Sequence, residues 1–205
     1  MESGAAALEP GFYGVGDLPG GDDYSIANDL SADGSTVVGE SVSASGQEAF
    51  AWDAENGIRG LGDIPGNNFS SVAEGVSADG SVVVGRSESS IFRWDASTGM
   101  QELDPASRCS LCSGQDVSDD GSVIVGRGPG ISRPSTNRQA FRWTAATGMQ
   151  GLGFLSSTAF NSQALAMSGD GTIVVGSTTS DRPDPVVEAF RWDQLQGSGF
   201  HLSIL

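Results

Sequence analysis

The chain has 205 residues, 30 of them glycine, and no apolar run is long enough to cross a bilayer as a helix. Its 26 acidic residues face 10 basic residues, all arginine, which gives a formal net charge of −16. Such an acidic surface repels phosphate backbones and anionic lipids, so neither nucleic-acid binding nor membrane insertion is expected.

Two short segments precede the first full repeat. Residues 1–10 lack the basic and apolar regions of a signal peptide, and we expect a disordered or artificially added tail there. If the protein is exported, its signal has been removed. Residues 11–18 match residues 57–64, which are predicted to contain the last strand of a repeat. Residues 11–18 are therefore predicted to be a strand that closes a ring from the other end of the chain.

Four copies of one string make up the rest of the chain. Each copy contains Ser-x-Asp-Gly, an apolar run that ends in glycine, and Phe-x-Trp. The first three copies then have a second glycine turn. The repeat length of 41 to 50 residues, measured between Asp33, Asp79, Asp120 and Asp170, is typical of a propeller blade. We place the repeats at about residues 24–62, 70–103, 114–153 and 162–205, within a single domain of residues 11–205.

Each repeat is predicted to form four strands, a to d. The Asp-Gly step supplies a tight turn between strands a and b. Strand b is a short apolar run such as Val82–Val84, as expected where both faces of a sheet are covered. Strand c carries Phe and Trp two residues apart, so both rings leave the same face. The sequence therefore predicts an all-β chain, a β-propeller of four units whose aromatic pairs fill the gaps between sheets.

Two segments are candidates for the strand that closes the ring: residues 11–18 and Phe200–Leu205. A five-stranded closing blade and a displaced tail both stay open. So do part of a larger propeller and half of an eight-bladed ring made by two chains. The oligomeric state does not follow from the sequence.

The repeated string resembles a known family. Ser-x-Asp-Gly-Ser-x-Val-Val-Gly, then Ala-Phe-Arg-Trp, then Ala-Thr-Gly-Met-Gln-x-Leu-Gly resembles the HAF repeat family of bacterial extracellular repeat proteins, over nearly the whole chain from Gly11 onward. The resemblance implies a secreted or surface-attached bacterial protein with propeller-like repeats. It implies no catalytic residue.

Residues for catalysis or metal binding are scarce. His201 is the single histidine and lysine is absent, so a serine hydrolase lacks its base and a zinc site lacks its ligands. Loop aspartates supply carboxylate oxygens that can coordinate calcium, but no calcium-loop motif supports such a site. The four repeated aspartates are expected to bond their own turn backbone. We predict no catalytic residue, no metal and no cofactor.

The two cysteines, Cys109 and Cys112, lie between the second and third repeats. A redox dithiol would need a βαβ setting, which the sequence lacks, and half a metal site lacks its other ligands. We predict a local disulfide in an exported protein.

The connections between strands b and c differ most among the repeats, at residues 39–50, 85–92, 126–141 and 176–190. In an up-and-down blade these connections and the d-to-a connections share one face, which we predict to be the working face. Arginines on one loop can bind carboxylates or sugar acids, or can pair with acids on the next loop. The candidate ligand-binding residues are Arg127, Arg133, Arg138, Asp181, Asp184 and Glu188.

These observations favour a non-catalytic binding or adhesion module, outside the cell or on its surface, with a glycan or a surface protein as partner. Two other functions stay open: an enzyme acting on polysaccharide through loop carboxylates and arginine, and a structural spacer. Facing carboxylates in a deep cleft would favour the enzyme, and the lack of a pocket would favour the spacer.

Overall fold

The computed structural model describes residues 11–66, 68–103, 109, 111–130, 138–155, 159, 161–179 and 186–194. Within them, fifteen strands form four antiparallel sheets. The first two sheets contain β1 (Gly20–Leu30), β2 (Thr36–Ser43), β3 (Gly46–Asp53), β4 (Gly57–Gly60), β5 (Ser71–Val76), β6 (Val82–Ser87), β7 (Ser90–Asp95) and β8 (Gly99–Glu102). The other two contain β9 (Ser113–Val117), β10 (Val123–Pro129), β11 (Arg138–Thr144), β12 (Gly148–Gly153), β13 (Ser162–Met167), β14 (Ile173–Thr179) and β15 (Val187–Asp193).

Each sheet is a meander in which every strand pairs with the next one along the chain. The all-β prediction is confirmed, and each repeat corresponds to one sheet. Three strands of the fourth sheet are described, β13 to β15. Residues 1–10 and 195–205 lie outside the described residues. Residues 11–18 precede β1 and lie outside the strands, so their role as a closing strand stays a prediction.

The Ser-x-Asp-Gly turn between strands a and b is held by one serine and one aspartate. In the second repeat, the hydroxyl of Ser77 donates to Asp79 Oδ1 at 2.8 Å and accepts the N–H of Val82 at 2.9 Å. The N–H of Ser81 donates to the same carboxylate oxygen at 2.9 Å. Gly80 has a φ of +74°, which favours glycine. The predicted turn role of the repeated aspartates is confirmed, since the other three repeats have the same bonds.

Neighbouring turns are joined to one another. The N–H of Ala32 donates to the carbonyl of Ala78 at 3.0 Å, and the N–H of Ala78 donates to the carbonyl of Asp119 at 3.2 Å. The N–H of Asp119 donates in turn to the carbonyl of Gly169 at 2.8 Å. The second residue of each turn therefore gives its N–H to the same position of the next sheet. These bonds form a directed series that crosses all four sheets.

The hydrophobic core consists of three clusters, each between consecutive sheets. Phe92 and Trp94 of the second sheet pack with Val38 of the first. The pairs Phe141–Trp143 and Phe190–Trp192 pack in the same way against the second and third sheets. In the second, third and fourth repeats the aromatic pairs fill the gaps between sheets as predicted, and each of these pairs faces the preceding sheet. No helix in the described part of the chain is long and apolar enough to span a bilayer.

The turn geometry predicts a specific loss of stability. Ser77 is fully buried, so Ser77→Ala leaves the N–H of Val82 without its acceptor. We expect the free energy of unfolding to fall by about 1–2 kcal/mol, the usual cost of an unsatisfied buried donor. Urea denaturation measures it. The exposed Ser45→Ala is the control and should change stability by less than about 0.5 kcal/mol. Equal effects of the two substitutions would contradict the assignment.

The same turns predict a dependence of stability on pH. Hydrogen bonds lower the pKa of Asp33 to about 2, chiefly through the N–H of Ser35, and that of Asp120 to about 2, chiefly through the Ser118 hydroxyl. A lowered pKa stabilises the fold fully above the ordinary value of 3.8, and this contribution is lost as pH falls through about 2. The Tm deficit of Asp120→Asn should therefore shrink between about pH 4.5 and pH 2.

Asp22→Asn, at the exposed start of β1, is the matched control. Its Tm difference from the wild type should vary less over the same pH range. A deficit of Asp120→Asn that stays constant down to pH 2 would rule out the linkage.

Candidate ligand-binding site

A cavity of about 320 Å³ opens between the second and third sheets. It lies where strands a begin and strands b end, which is the face of the b-to-c and d-to-a connections. Strands β5 and β6 contribute the second sheet's part of the wall, and β9 and β10 contribute the third sheet's part. The lining residues are Glu74, Arg86, Glu88, Leu111, Ser113, Gln115 and Arg127. We call this cavity the inter-sheet pocket.

Two rim residues have an unusual backbone conformation. Glu88 has a φ of +47° and Leu111 a φ of +69°, and among the described residues these are the non-glycine residues with positive φ. Such a conformation costs free energy for any side chain except glycine and is often found at functional sites. Glu88 sits in the β6–β7 turn, where its N–H donates to the carbonyl of Ser70 at 2.9 Å. The rim is therefore held by its surroundings in a conformation that it would not adopt freely.

The two cysteines build the other side of the rim. Cys109 and Cys112 form a disulfide in the structure, with Cα atoms 5.5 Å apart. The N–H of Cys109 donates to the carbonyl of Ser89 at 2.9 Å, which fastens the cysteine loop to the β6–β7 turn. Cys112 is fully buried in the core between the second and third sheets. The loop thereby presents the exposed side chain of Leu111 at the mouth of the pocket.

Arg127 supplies positive charge to the pocket. Its Nε donates to the carbonyl of Leu111 at 2.8 Å and its Nη1 to Gln163 Oε1 at 3.3 Å, so both described acceptors are neutral. Burial lowers the pKa of Arg127, and the nearby charge of Arg138 lowers it further. A partly buried guanidinium beside a second cation is attractive to an anion.

The opposite wall carries an acid and a base in contact. Arg86 Nε lies 3.4 Å from Glu74 Oε1, and both side chains are partly exposed. Burial raises the pKa of Glu74, Arg86 acts against this rise, and Glu40 on the first sheet adds to it. The pocket therefore has an ion pair at Glu74 and Arg86, a rim carboxylate at Glu88 that accepts the N–H of Asn68 at 2.8 Å, and Arg127, whose own hydrogen bonds reach neutral groups.

The structure brings together part of the predicted site. Arg127 lies in the pocket, Arg138 is close enough to influence its charge, and Glu188 lies on β15 opposite Thr178. Arg138 and Glu188 both have further interactions. Arg133, Asp181 and Asp184 fall outside the described residues, so their role as ligand-binding residues stays a prediction.

Sequence reasoning missed Glu74, Arg86, Glu88 and Leu111. A signal for one of them was present, because Arg86 and Arg127 occupy the same place in their repeats, directly after the glycine of strand b. Glu88 and Leu111 left no such signal. Glu88 lies in the two-residue β6–β7 turn and Leu111 in the cysteine loop, and neither local sequence recurs in the other repeats.

The cysteine loop predicts a measurable disulfide. A thiol-alkylating reagent should label Cys109 and Cys112 in denatured protein only after reduction. Closing so short a loop should stabilise the fold by about 2 kcal/mol at most, so reduction should lower the urea midpoint modestly without unfolding the chain. Labelling of both cysteines without a reductant would refute the disulfide. Omitting the reductant gives the matched control on the same protein.

Comparison with known proteins identifies the fold. No protein-family model and no curated protein matches the chain. A crystal structure of TolB from Acinetobacter baumannii matches with a TM-score of 0.59 and 14% identity, over 85% of this chain and 42% of that one. The structure of putative TolB from Agrobacterium tumefaciens has a TM-score of 0.58 and 19% identity, over 86% of this chain and 64% of that one.

The tricorn protease structure matches with a TM-score of 0.53 and 16% identity, over 78% of this chain and 16% of that one. This chain thus spans less than two thirds of each of these proteins. Identities this low show the fold alone. The fold that they share with this chain, with its successive four-stranded meanders, is the β-propeller.

Proposed function

We propose that the protein is a non-catalytic binding module of the bacterial cell surface or extracellular space, and that it holds a carboxylate-bearing ligand in the inter-sheet pocket. An acidic glycan is the ligand class that we favour. The resemblance to HAF repeats and the disulfide support the surface location, since disulfides persist in oxidising compartments.

The observation that carries the proposal is the environment of Arg127. Its described hydrogen bonds reach neutral oxygens and leave its positive charge available to a ligand, although the chain as a whole carries a net charge of −16. A local cation in an acidic protein selects its ligand, because the surrounding negative field repels anions that do not form direct contacts. A guanidinium recognises a carboxylate through paired N–H donors.

The rim supports the same function. Leu111 offers an exposed apolar surface next to Arg127, and Ser113 and Gln115 offer neutral hydrogen-bonding groups on the wall. Sugar rings combine apolar faces with hydroxyl groups, so a pocket of this composition suits a saccharide that bears an acid group. The pocket volume of about 320 Å³ is in the range of small-molecule sites.

A glycan array tests the proposal. We expect the wild type to bind glycans that contain uronic or sialic acids, and to lose this binding when their carboxylates are reduced to alcohols. Arg127→Gln should weaken binding about tenfold or more, since a charge-assisted bond to a carboxylate contributes more than 1.4 kcal/mol.

Arg59→Gln is the matched control, because Arg59 pairs with Asp53 beside the turn that follows β3, on another part of the molecule. It removes the same charge and should leave binding unchanged. Equal losses of binding for both variants would mean that binding depends on the overall charge of the protein and not on the pocket. No binding to any acidic glycan would reject the proposal, and hydrolysis of the bound glycans would favour the alternative of a polysaccharide-acting enzyme.

A further inference from the structure

The outer faces of the first and fourth sheets expose positions that the inner sheets bury. In the first three sheets, the strand-b side chain that points to the following sheet is a valine that is 0% exposed: Val38, Val84 and Val125 in turn. The equivalent residue of the fourth sheet, Val175, is 43% exposed. The fourth sheet therefore ends in an apolar face built like those that are covered elsewhere in the chain. We call it the trailing face.

The first sheet exposes a residue on its opposite side, at a position that the second and third sheets bury. The last residue of strand a packs towards the preceding sheet in Val76 and Val117, which are each 6% exposed. The equivalent Leu30 is 59% exposed. We call this side of the first sheet the leading face. Extensive packing between the described strands joins consecutive sheets only, so strands β13 to β15 do not cover the leading face.

Polar groups at the two faces are complementary as well. The directed series of turn bonds begins at Ala32, whose carbonyl occupies the acceptor position used by Ala78 and Asp119. The series ends at Gly169 in the turn of the fourth sheet, where the N–H of Gly169 occupies the position from which Ala32, Ala78 and Asp119 donate. A leading face placed against a trailing face would allow one more bond of this kind, from Gly169 to Ala32.

The segment before β1 contacts the first sheet in the way that the last strand of one sheet contacts the next sheet. Ser71 donates to the carbonyl of Gly62, two residues beyond β4, and Ser162 to that of Gly153, the last residue of β12, so each acceptor lies at the end of the preceding sheet's last strand. Ser25 donates in the same way to Gly16 at 2.9 Å. Gly16 has a φ of +84°, like the +84° of Gly62. Residues 11–15 thus stand where the last strand of a preceding sheet would run.

We propose that a second copy of this chain occupies these faces, with the trailing face of each copy against the leading face of the other. The contact would repeat an interface that already occurs three times within the chain. Two copies give eight sheets, which is within the usual range of closed propellers, whereas three copies exceed it. Residues 11–15 of one copy would then lie beside β15 of the other.

Light scattering on the full chain tests the proposal. We expect a mass about twice the 21.0 kDa of one chain at micromolar concentration. Association should strengthen from about 0.15 M to 0.5 M salt, because salt screens the repulsion between two strongly acidic chains. A single-chain mass under both conditions would overturn the proposal. A mass well above two chains would overturn the closed ring.

Two variants test the orientation of the contact. Leu30→Arg and Val175→Arg each place a charge on one face, and each should weaken association about 100-fold or more. Mixed in equal amounts, the two variants should recover a two-chain species, because one intact leading face can still meet one intact trailing face. Variants that are monomeric alone and stay monomeric when mixed would exclude a head-to-tail contact.

Gln101→Arg adds the same charge at the exposed residue of strand β8, away from both faces, and should associate like the wild type. Circular dichroism and the urea midpoint show whether each variant keeps its fold. If Gln101→Arg dissociates as readily as the other two, added charge alone would explain the loss and the proposal would fail.

Discussion

Each sheet of this protein has two apolar faces, and the rest of the structure follows from the need to cover both. A single four-stranded meander cannot bury them, but a neighbour with the same sequence pattern can, because the Phe-x-Trp side of one sheet fits the valine and alanine side of the sheet before it. Burial of this surface is the main favourable term in folding. Stacking the repeats therefore stabilises them, and the fold is set by this one contact.

The same contact determines where a site can form. Packing uses the alternate residues of strands b and c, and the turns between strands a and b are fixed by their serine and aspartate. At the opposite ends of the strands, Arg86 and Arg127 follow the strand-b glycines and are not used in the core. The cavity between the second and third sheets thus occurs where the repeat imposes the fewest requirements, and the side chains that line it can differ between repeats.

Sequence reasoning reached the architecture because each of its signals is local and recurs. Asp-Gly turns, apolar strand-b runs and Phe-x-Trp pairs each depend on a few neighbouring residues, so four copies support one another. Of the candidate residues named from the sequence, Arg127 lines the inter-sheet pocket. Leu111 lies in the cysteine loop between the second and third sheets, which is held to the β6–β7 turn by a hydrogen bond from Cys109 to Ser89, 20 residues away in the chain. A contact of this kind has no periodic pattern in the sequence.

The series of turn bonds from Ala32 to Gly169 has a direction, since every N–H points to the following repeat. Such units can therefore stack in one orientation only, because a reversed unit would place its N–H donor against the N–H donor of a neighbouring turn. Adding a unit at any position, by contrast, needs no new kind of contact. A gene that encodes such a repeat can therefore lengthen or shorten by duplication and deletion while every junction stays chemically the same.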